Sequence, residues 1–190
     1  MKSFDEEVLM AAEALRKGKV IVYPTDTIWG LGCDASNSKA VERLFKIKRK
    51  KEQNNLIALI DSVSRLEDYL KVVPPIALDL IAFAANPISI VYPGAKNLAK
   101  NVMGIDGSVC IRVTSDPFCV ALVKHFGKAI ASTSANISGE PTPLFFAQIS
   151  EAILKNADHV VAFYQDEVKA PKASSIIKLQ SDGQFTIIRS

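Results

Sequence analysis

Short apolar segments rich in β-branched side chains recur along this chain with helical stretches between them, and that alternation constrains the fold more than any other feature. Val20-Ile21-Val22-Tyr23, Leu56-Ile57-Ala58-Leu59-Ile60, Ile88–Tyr92, Val109–Val113, Ala129–Ser132 and Val160–Phe163 are the clearest. Each is too short for a helix and too uniformly apolar for a half-solvated strand, so each reads as a strand buried on both faces. Between them, Phe4, Val8, Ala11, Ala12 and Leu15 recur at helical spacing behind a Ser3-Phe4-Asp5-Glu6 capping box, with Gly18 as the stop. Further helices are expected over 38–48, from a second capping box at Ser64-Arg65-Leu66-Glu67, after Pro74-Pro75, over 116–127 and over 150–156. Ile176–Leu179 and Phe185–Ile188 read as a terminal hairpin turning at Asp182-Gly183. The fold class is therefore α/β, a twisted mixed sheet of parallel and antiparallel strands flanked by helices. The 190 residues read as one domain, 1–190, with no linker or repeat.

Composition removes several function classes. Lys and Arg number 23 against 20 Asp and Glu, a net +3, and 48% of residues are hydrophobic, which excludes global disorder. No run approaches the ~18 apolar residues of a membrane span. The N-terminus is acidic where a secretory signal would be basic. Cys33, Cys110 and Cys119 are too scattered for a disulfide framework or zinc knuckle, and no metal site is expected. These features point to a cytoplasmic chain without membrane association.

Familiar chemistry is missing. There is no P-loop and no G-x-S-x-G elbow, and His125 and His159 lack ligand partners one helical turn away. Both read as surface or helix-end histidines, and Cys33 as a small buried thiol. Gly30-Leu31-Gly32-Cys33-Asp34-Ala35 spells a dinucleotide-binding pattern, but six residues separate it from the preceding strand. Its glycines are read as permitting a tight turn after the strand.

Four polar clusters fall where strands end. They are Thr25-Asp26-Thr27, the basic run Lys46–Lys51, the stretch Ser132–Pro141 with its hydroxyls and Asn136, and Ser174-Ser175. Arg112 lies inside an apolar strand, where a buried guanidinium needs a partner and a bound anion is an economical one. Arg189 adds a cation at the chain end. Hydroxyls, amides and separated cations together describe a phosphate- or carboxylate-binding cleft.

Tyr23-Pro24-Thr25-Asp26-Thr27-Ile28-Trp29-Gly30-Leu31-Gly32 resembles the P-T-[ED]-T-x-[YF]-G-L motif of the YrdC-type threonylcarbamoyl-AMP synthases, and Ser134-Ala135-Asn136-Ile137-Ser138-Gly139-Glu140-Pro141 resembles their S-A-N-x-S-G-x-P motif. Lys48-Arg49-Lys50 falls at the family's K-x-R, Asn54-Asn55-Leu56 at N-P-L, Pro87-Ile88-Ser89 at P-L-T, Ile111-Arg112-Val113 at V-R-[VI]-P, and Ser174-Ser175-Ile176-Ile177 at S-T-[IV]-[VI]. The motifs keep the family's order over nearly the whole chain, in its single-domain form. Departures are Lys50 for arginine, Lys51 and Asn55 for prolines, Leu59 for a histidine, and Ala84-Ala85-Asn86 for W-P-G.

The resemblance implies a YrdC-like fold and a nucleotidyltransferase that makes threonylcarbamoyl-AMP and pyrophosphate from ATP, L-threonine and bicarbonate, with Mg²⁺ accompanying ATP. Downstream transfer proteins would pass the threonylcarbamoyl group to a tRNA adenosine. Thr25, Thr27, Lys48, Lys50 and Arg112 would be the catalytic residues. Tyr23, Ser89, Ser132, Ser134, Asn136, Ser174, Ser175 and Arg189 would bind substrate or nucleotide. The alternative is a paralogue of the same fold that binds tRNA or double-stranded RNA through its basic run, although no aromatic residues interleave that run. A nicotinamide-dependent oxidoreductase would rest on Gly30–Ala35 alone.

Overall fold

The computed structural model describes residues 3–50, 56–166, 174–180 and 184–189. The chain runs α1 (Phe4–Arg16), β1 (Ile21–Tyr23), β2 (Gly30–Asp34), α2 (Ser38–Ile47), β3 (Ile57–Ile60), α3 (Leu66–Tyr69), α4 (Pro75–Ala82), β4 (Ile88–Tyr92), β5 (Val109–Val113), α5 (Pro117–Phe126), β6 (Ile130–Ser134), α6 (Glu151–Asn156), β7 (His159–Val160), β8 (Ser175–Leu179) and β9 (Phe185–Arg189). The capping chemistry at the N-terminus of α1 forms as the sequence dictates: Ser3 Oγ accepts from the Glu6 amide, and the Glu6 carboxylate accepts from the Ser3 amide. Asp116 caps α5 by accepting from the Cys119 amide, and Gly127 ends it in the left-handed region. The second expected capping box does not form. A 3₁₀ turn over Val63–Arg65 precedes α3, and Ser64 Oγ meets Ser62 Oγ instead of a backbone amide.

All nine described strands join one sheet in the order β7-β1-β2-β6-β3-β5-β4-β8-β9. Mixing is not confined to the terminal hairpin. β1/β2, β2/β6, β3/β6 and β4/β5 are antiparallel as well as β8/β9, whereas β1/β7, β3/β5 and β4/β8 are parallel. The hairpin forms over Ser175–Leu179 and Phe185–Arg189, and its Asp182-Gly183 turn lies outside the described residues. The expected strand over 160–163 shortens to His159–Val160. His159 is not a surface residue, because its ring packs 3.5 Å from the buried Glu7 carboxylate.

One correction concerns the glycines. Gly30–Asp34 is not a turn but a fully buried central strand, β2. Its two glycines face the Tyr23 ring across the β1/β2 pair, Tyr23 opposite Gly30 and Ile21 opposite Gly32. A Cβ would lie 2.9 Å from that ring at Gly30 and 2.7 Å from it at Gly32. Missing side chains thus make room for the Tyr23 ring against the strand.

The sheet buries its two faces differently. On one, Val22, Leu31, Cys33, Ala58, Ile60, Ile90, Ile111 and Ala131 pack against α2, α3, α4 and α6. Burial pushes the Cys33 thiol well up, so it is inert, as expected of a small core thiol. On the other, Ile21, Tyr23, Leu59 and Ile130 pack under the α1/α5 pair through Leu15, Phe118 and Leu122. That helix pair covers only part of its face, and the uncovered remainder is the cleft described below.

The end of α2 aims two of the basic side chains. The Lys50 amide donates to the Phe45 carbonyl and the Arg49 amide to Lys46, a Schellman closure with Arg49 at φ 52°. This turn carries Lys48 inward and returns Lys50 to the cleft, while Lys46 and Arg49 stay exposed. An L-residue in the left-handed region costs about 1–2 kcal/mol, which glycine avoids. Arg49→Gly should therefore raise stability by up to about 1 kcal/mol after glycine's own entropy cost, and Arg49→Ala should not. Thermal unfolding of the two variants checks this.

Candidate active site

Period-two alternation brings distant residues onto one face. Ser132 on β6 pairs with Ile57 on β3 and Gly32 on β2, and Ile57 pairs with Cys110 on β5, which pairs with Val91 on β4. One residue pair along, Leu59 lies beside Arg112. Ser132, Ile57, Cys110, Val91, Leu59 and Arg112 floor a cleft of about 620 Å³ whose rim carries Thr25, Thr27, Lys48, Lys50, Ser134, Asn136, Ser174 and Arg189. Small-molecule sites span roughly 300–1,000 Å³, so the size suits one nucleotide-sized ligand.

Arg112 organises one end. Its guanidinium is 7% exposed. Nε donates to Ser89 Oγ at 3.0 Å, Nη2 to Ser174 Oγ at 2.6 Å, and Nη1 to Thr27 Oγ1 at 3.1 Å and Asp26 Oδ1 at 3.4 Å. The partner that a buried arginine requires is thus within the chain, which corrects the expectation that a bound anion supplies it. Burial raises the Asp26 carboxyl above the ordinary range, the Asp116 charge adds to this, and Arg112 opposes it. Arg189 reaches the same serine from the other side, its Nε and Nη2 donating to the Ser174 carbonyl at 3.0 and 2.7 Å. It gets there through a β-bulge. Ile177 pairs with Ile187 but Ile176 pairs with Arg189, so Ile188 is extra and Arg189 turns onto the cleft face.

Lys48 organises the other end, and it does so by gripping a loop. Its ammonium is buried and donates to the Ser134 carbonyl at 2.6 Å, the Asn136 carbonyl at 2.8 Å and Asn136 Oδ1 at 3.3 Å. Its own carbonyl accepts from the Ser138 amide. All three N–H bonds of the ammonium are engaged, so Lys48 first of all shapes the 134–138 loop. Burial, and then the Lys50 charge, lower its pKa to about 8. Two consequences follow. Activity that needs this cation should fall as pH rises through about 8, and Lys48→Arg, which stays ionised, should move that limb upward in a pyrophosphate-release pH profile. Stability should move oppositely. Between about 8 and the ordinary 10.5 the unfolded chain holds more protons at this lysine, so its contribution improves with rising pH.

Of the expected site residues, Thr25, Thr27, Lys48, Lys50, Arg112, Ser132, Ser134, Asn136, Ser174 and Arg189 line the cleft together. Three do not. Tyr23 and Ser89 are fully buried beneath it, and Ser175 pairs with Ile88 at the start of β8. Sequence reading passed over Asp26 as a partner of Arg112, and it passed over Cys110 and Val91 in the floor. Parity was the usable signal, since Cys110 is two residues before Arg112 on one strand. Burial pushes the Cys110 thiol up to about 12 despite the two nearby arginines, so it is not a nucleophile.

A model of the Sua5/YciO/YrdC family, described as "Telomere recombination", matches residues 13–190. The chain belongs to this family. The threonylcarbamoyl-AMP synthase of Pseudoalteromonas translucida is 36% identical over 167 residues, 86% of this chain and 87% of that protein. Among solved structures, P. abyssi Sua5 complexed with L-threonine superposes with a TM-score of 0.88 at 27% identity, over 97% of this chain and 54% of that one. The chain thus spans about half the length of that Sua5 family member. E. coli YciO superposes with a TM-score of 0.84 at 25% identity, over 98% of this chain and 89% of that one. The mixed sheet flanked by helices is therefore the family's fold, as its motifs implied. No helix among the described residues is long and apolar enough to cross a membrane.

Proposed function

We propose that this chain is a threonylcarbamoyl-AMP synthase, an adenylyl-transferring enzyme that acts on ATP, L-threonine and bicarbonate. The observation that carries the reading is the convergence of Lys48, Lys50, Arg112 and Arg189, far apart in sequence, with hydroxyl side chains around one cleft. In the proposed reaction the threonine amine adds to bicarbonate with loss of water, giving a carbamate. A carbamate oxygen then bonds to the α-phosphorus of ATP while the bond to the bridging oxygen breaks and pyrophosphate leaves. Such a transfer needs alignment and charge neutralisation, and no side chain has to become a nucleophile. Arg112 and Arg189 would meet carboxylate or phosphate oxygens at one end, Lys50 would do so at the other, and Lys48 would hold Ser134 and Asn136 in place for the nucleotide.

A Mg²⁺ would enter as part of the ATP substrate. Among the described residues no group of three or more His, Cys, Asp or Glu side chains stands together to hold an ion. Its ligands would be phosphate oxygens and water, which Mg²⁺ favours. The nucleotide-modification role also implies a cytoplasmic location and partner proteins that accept the threonylcarbamoyl group for tRNA.

The test is incubation of the purified protein with MgATP, bicarbonate and L-threonine. Threonine-dependent release of pyrophosphate and formation of threonylcarbamoyl-adenylate are the expected results. Salt-sensitive binding of tRNA or double-stranded RNA with no threonine-dependent product would overturn the reading in favour of an RNA-binding paralogue.

A further inference from the structure

Two of the buried hydroxyls beneath the cleft leave no freedom in where their protons go. Tyr23 is 0% exposed, and its Oη lies 2.6 Å from Ser132 Oγ. If Ser132 were the donor of that bond, the phenol proton would be buried without an acceptor, a cost of about 1–3 kcal/mol. Tyr23 therefore donates, which spends one acceptor site of Ser132 and leaves the Ser132 proton for another partner. Ser132 lines the cleft and, among the described residues, makes no other side-chain hydrogen bond.

Ser89 is also 0% exposed, and its Oγ accepts from Arg112 Nε. Among the described residues its proton has one acceptor in reach, Ser174 Oγ at 3.0 Å. Ser174 Oγ accepts from Arg112 Nη2 as well, at 2.6 Å. With both lone pairs engaged, Ser174 keeps only its own proton to offer, and it too lines the cleft. Thr25 is the counter-case: its Oγ1 donates to the Ile28 carbonyl at 2.6 Å and accepts from the Thr27 amide at 3.1 Å, so its proton is spent inside the protein.

We propose that Tyr23 and Ser89, which do not touch the cleft, are positioning residues that hold Ser132 and Ser174 as oriented hydrogen-bond donors toward the ligand. The consequence is selectivity by chemistry. Two hydroxyl protons left unspent, beside Arg112 and Arg189, favour groups that accept, such as phosphate and carboxylate oxygens. Ser174 disfavours an ammonium, because its acceptor sites are spent and freeing one would strand the buried Ser89 proton, whereas Ser132 keeps one acceptor site. Donors already aligned before the ligand arrives need no reorganisation when it binds. This rests on the nucleotide reading above.

The test is a pair of double-mutant cycles on the full chain, read by calorimetric binding of α,β-methylene-ATP, which keeps the triphosphate and cannot transfer its adenylyl group. Tyr23→Phe should weaken binding about three- to tenfold while keeping the fold, and Ser132→Ala about tenfold or more. In the Ser132→Ala background, Tyr23→Phe should have no further effect on binding. Ser89→Ala should likewise lose its effect once Ser174→Ala is present. If Ser89→Ala does not fold, the Tyr23 cycle decides alone. A Tyr23→Phe penalty of the same size in both backgrounds, or no penalty in either, would overturn the inference and leave the nucleotide reading standing. Wild-type protein that binds the analogue no better than it binds adenosine would overturn the nucleotide reading itself.

Discussion

Arg112→Leu should unfold about 10 °C below the wild type and release pyrophosphate at least about a hundredfold more slowly. The guanidinium holds four side chains from three separate segments, namely Asp26 and Thr27 after β1, Ser89 on β4 and Ser174 before β8. Leucine fills the volume and satisfies none of them. Asp26, 13% exposed, is left as a buried carboxylate without its cation, and breaking a buried pair in this way costs about 3–5 kcal/mol. Two further variants separate the charge from the geometry. Arg112→Lys keeps the cation but loses the planar fork, so one ammonium cannot serve all four partners, and it should fall between wild type and leucine in both measurements. Adding Asp26→Asn to Arg112→Leu should recover part of the melting temperature and none of the turnover, because it removes the stranded charge without restoring the cleft. A leucine variant with wild-type melting and turnover would show that Arg112 organises nothing.

Gly32→Ala should destabilise the protein by about 1–3 kcal/mol, the usual cost of forcing volume into a packed core. The sign is what makes this informative. Glycine inside a strand ordinarily costs about 0.5–1 kcal/mol relative to alanine, so intrinsic preference alone would make the substitution stabilising. Here the new methyl would stand 2.7 Å from the Tyr23 ring and 2.9 Å from Ile130 Cγ2, in a strand with no exposed face. Either the ring or β2 must move, and moving the ring pulls the phenol away from Ser132. Turnover should drop along with the denaturation midpoint. Gly30→Ala, at 2.9 Å from the same ring, should behave in the same way. A midpoint above the wild type in urea would show that the ring has room to retreat.

The buried strands were legible because short, continuously apolar, β-branched runs have few other ways to hide their side chains. β2 was not legible, because Gly30-Leu31-Gly32-Cys33-Asp34 has the composition of a turn. Its strand conformation comes from pairing with β1 on one side and β6 on the other, and from the Tyr23 ring that replaces its missing side chains. Ser64-Arg65-Leu66-Glu67 shows the reverse failure. The local capping pattern is present, but a tighter turn leads into the helix and the serine finds a neighbouring hydroxyl instead.

The site divides along the same line. The residue types and their order along the chain were set by the sequence, and so was the family that those motifs identify. Which of the residues meet a ligand was not. Lys48 reads as a phosphate-facing cation until its ammonium is seen to be occupied by three oxygens of the neighbouring loop. Phe185, Ile187 and Arg189 share one parity, so simple alternation would put the arginine on the face away from the cleft. One extra residue at Ile188 turns it back. Local pattern is a one-dimensional quantity and reports burial and period. The direction of a side chain across a nine-stranded sheet depends on register, bulges and partners many residues away, and only the folded chain supplies those.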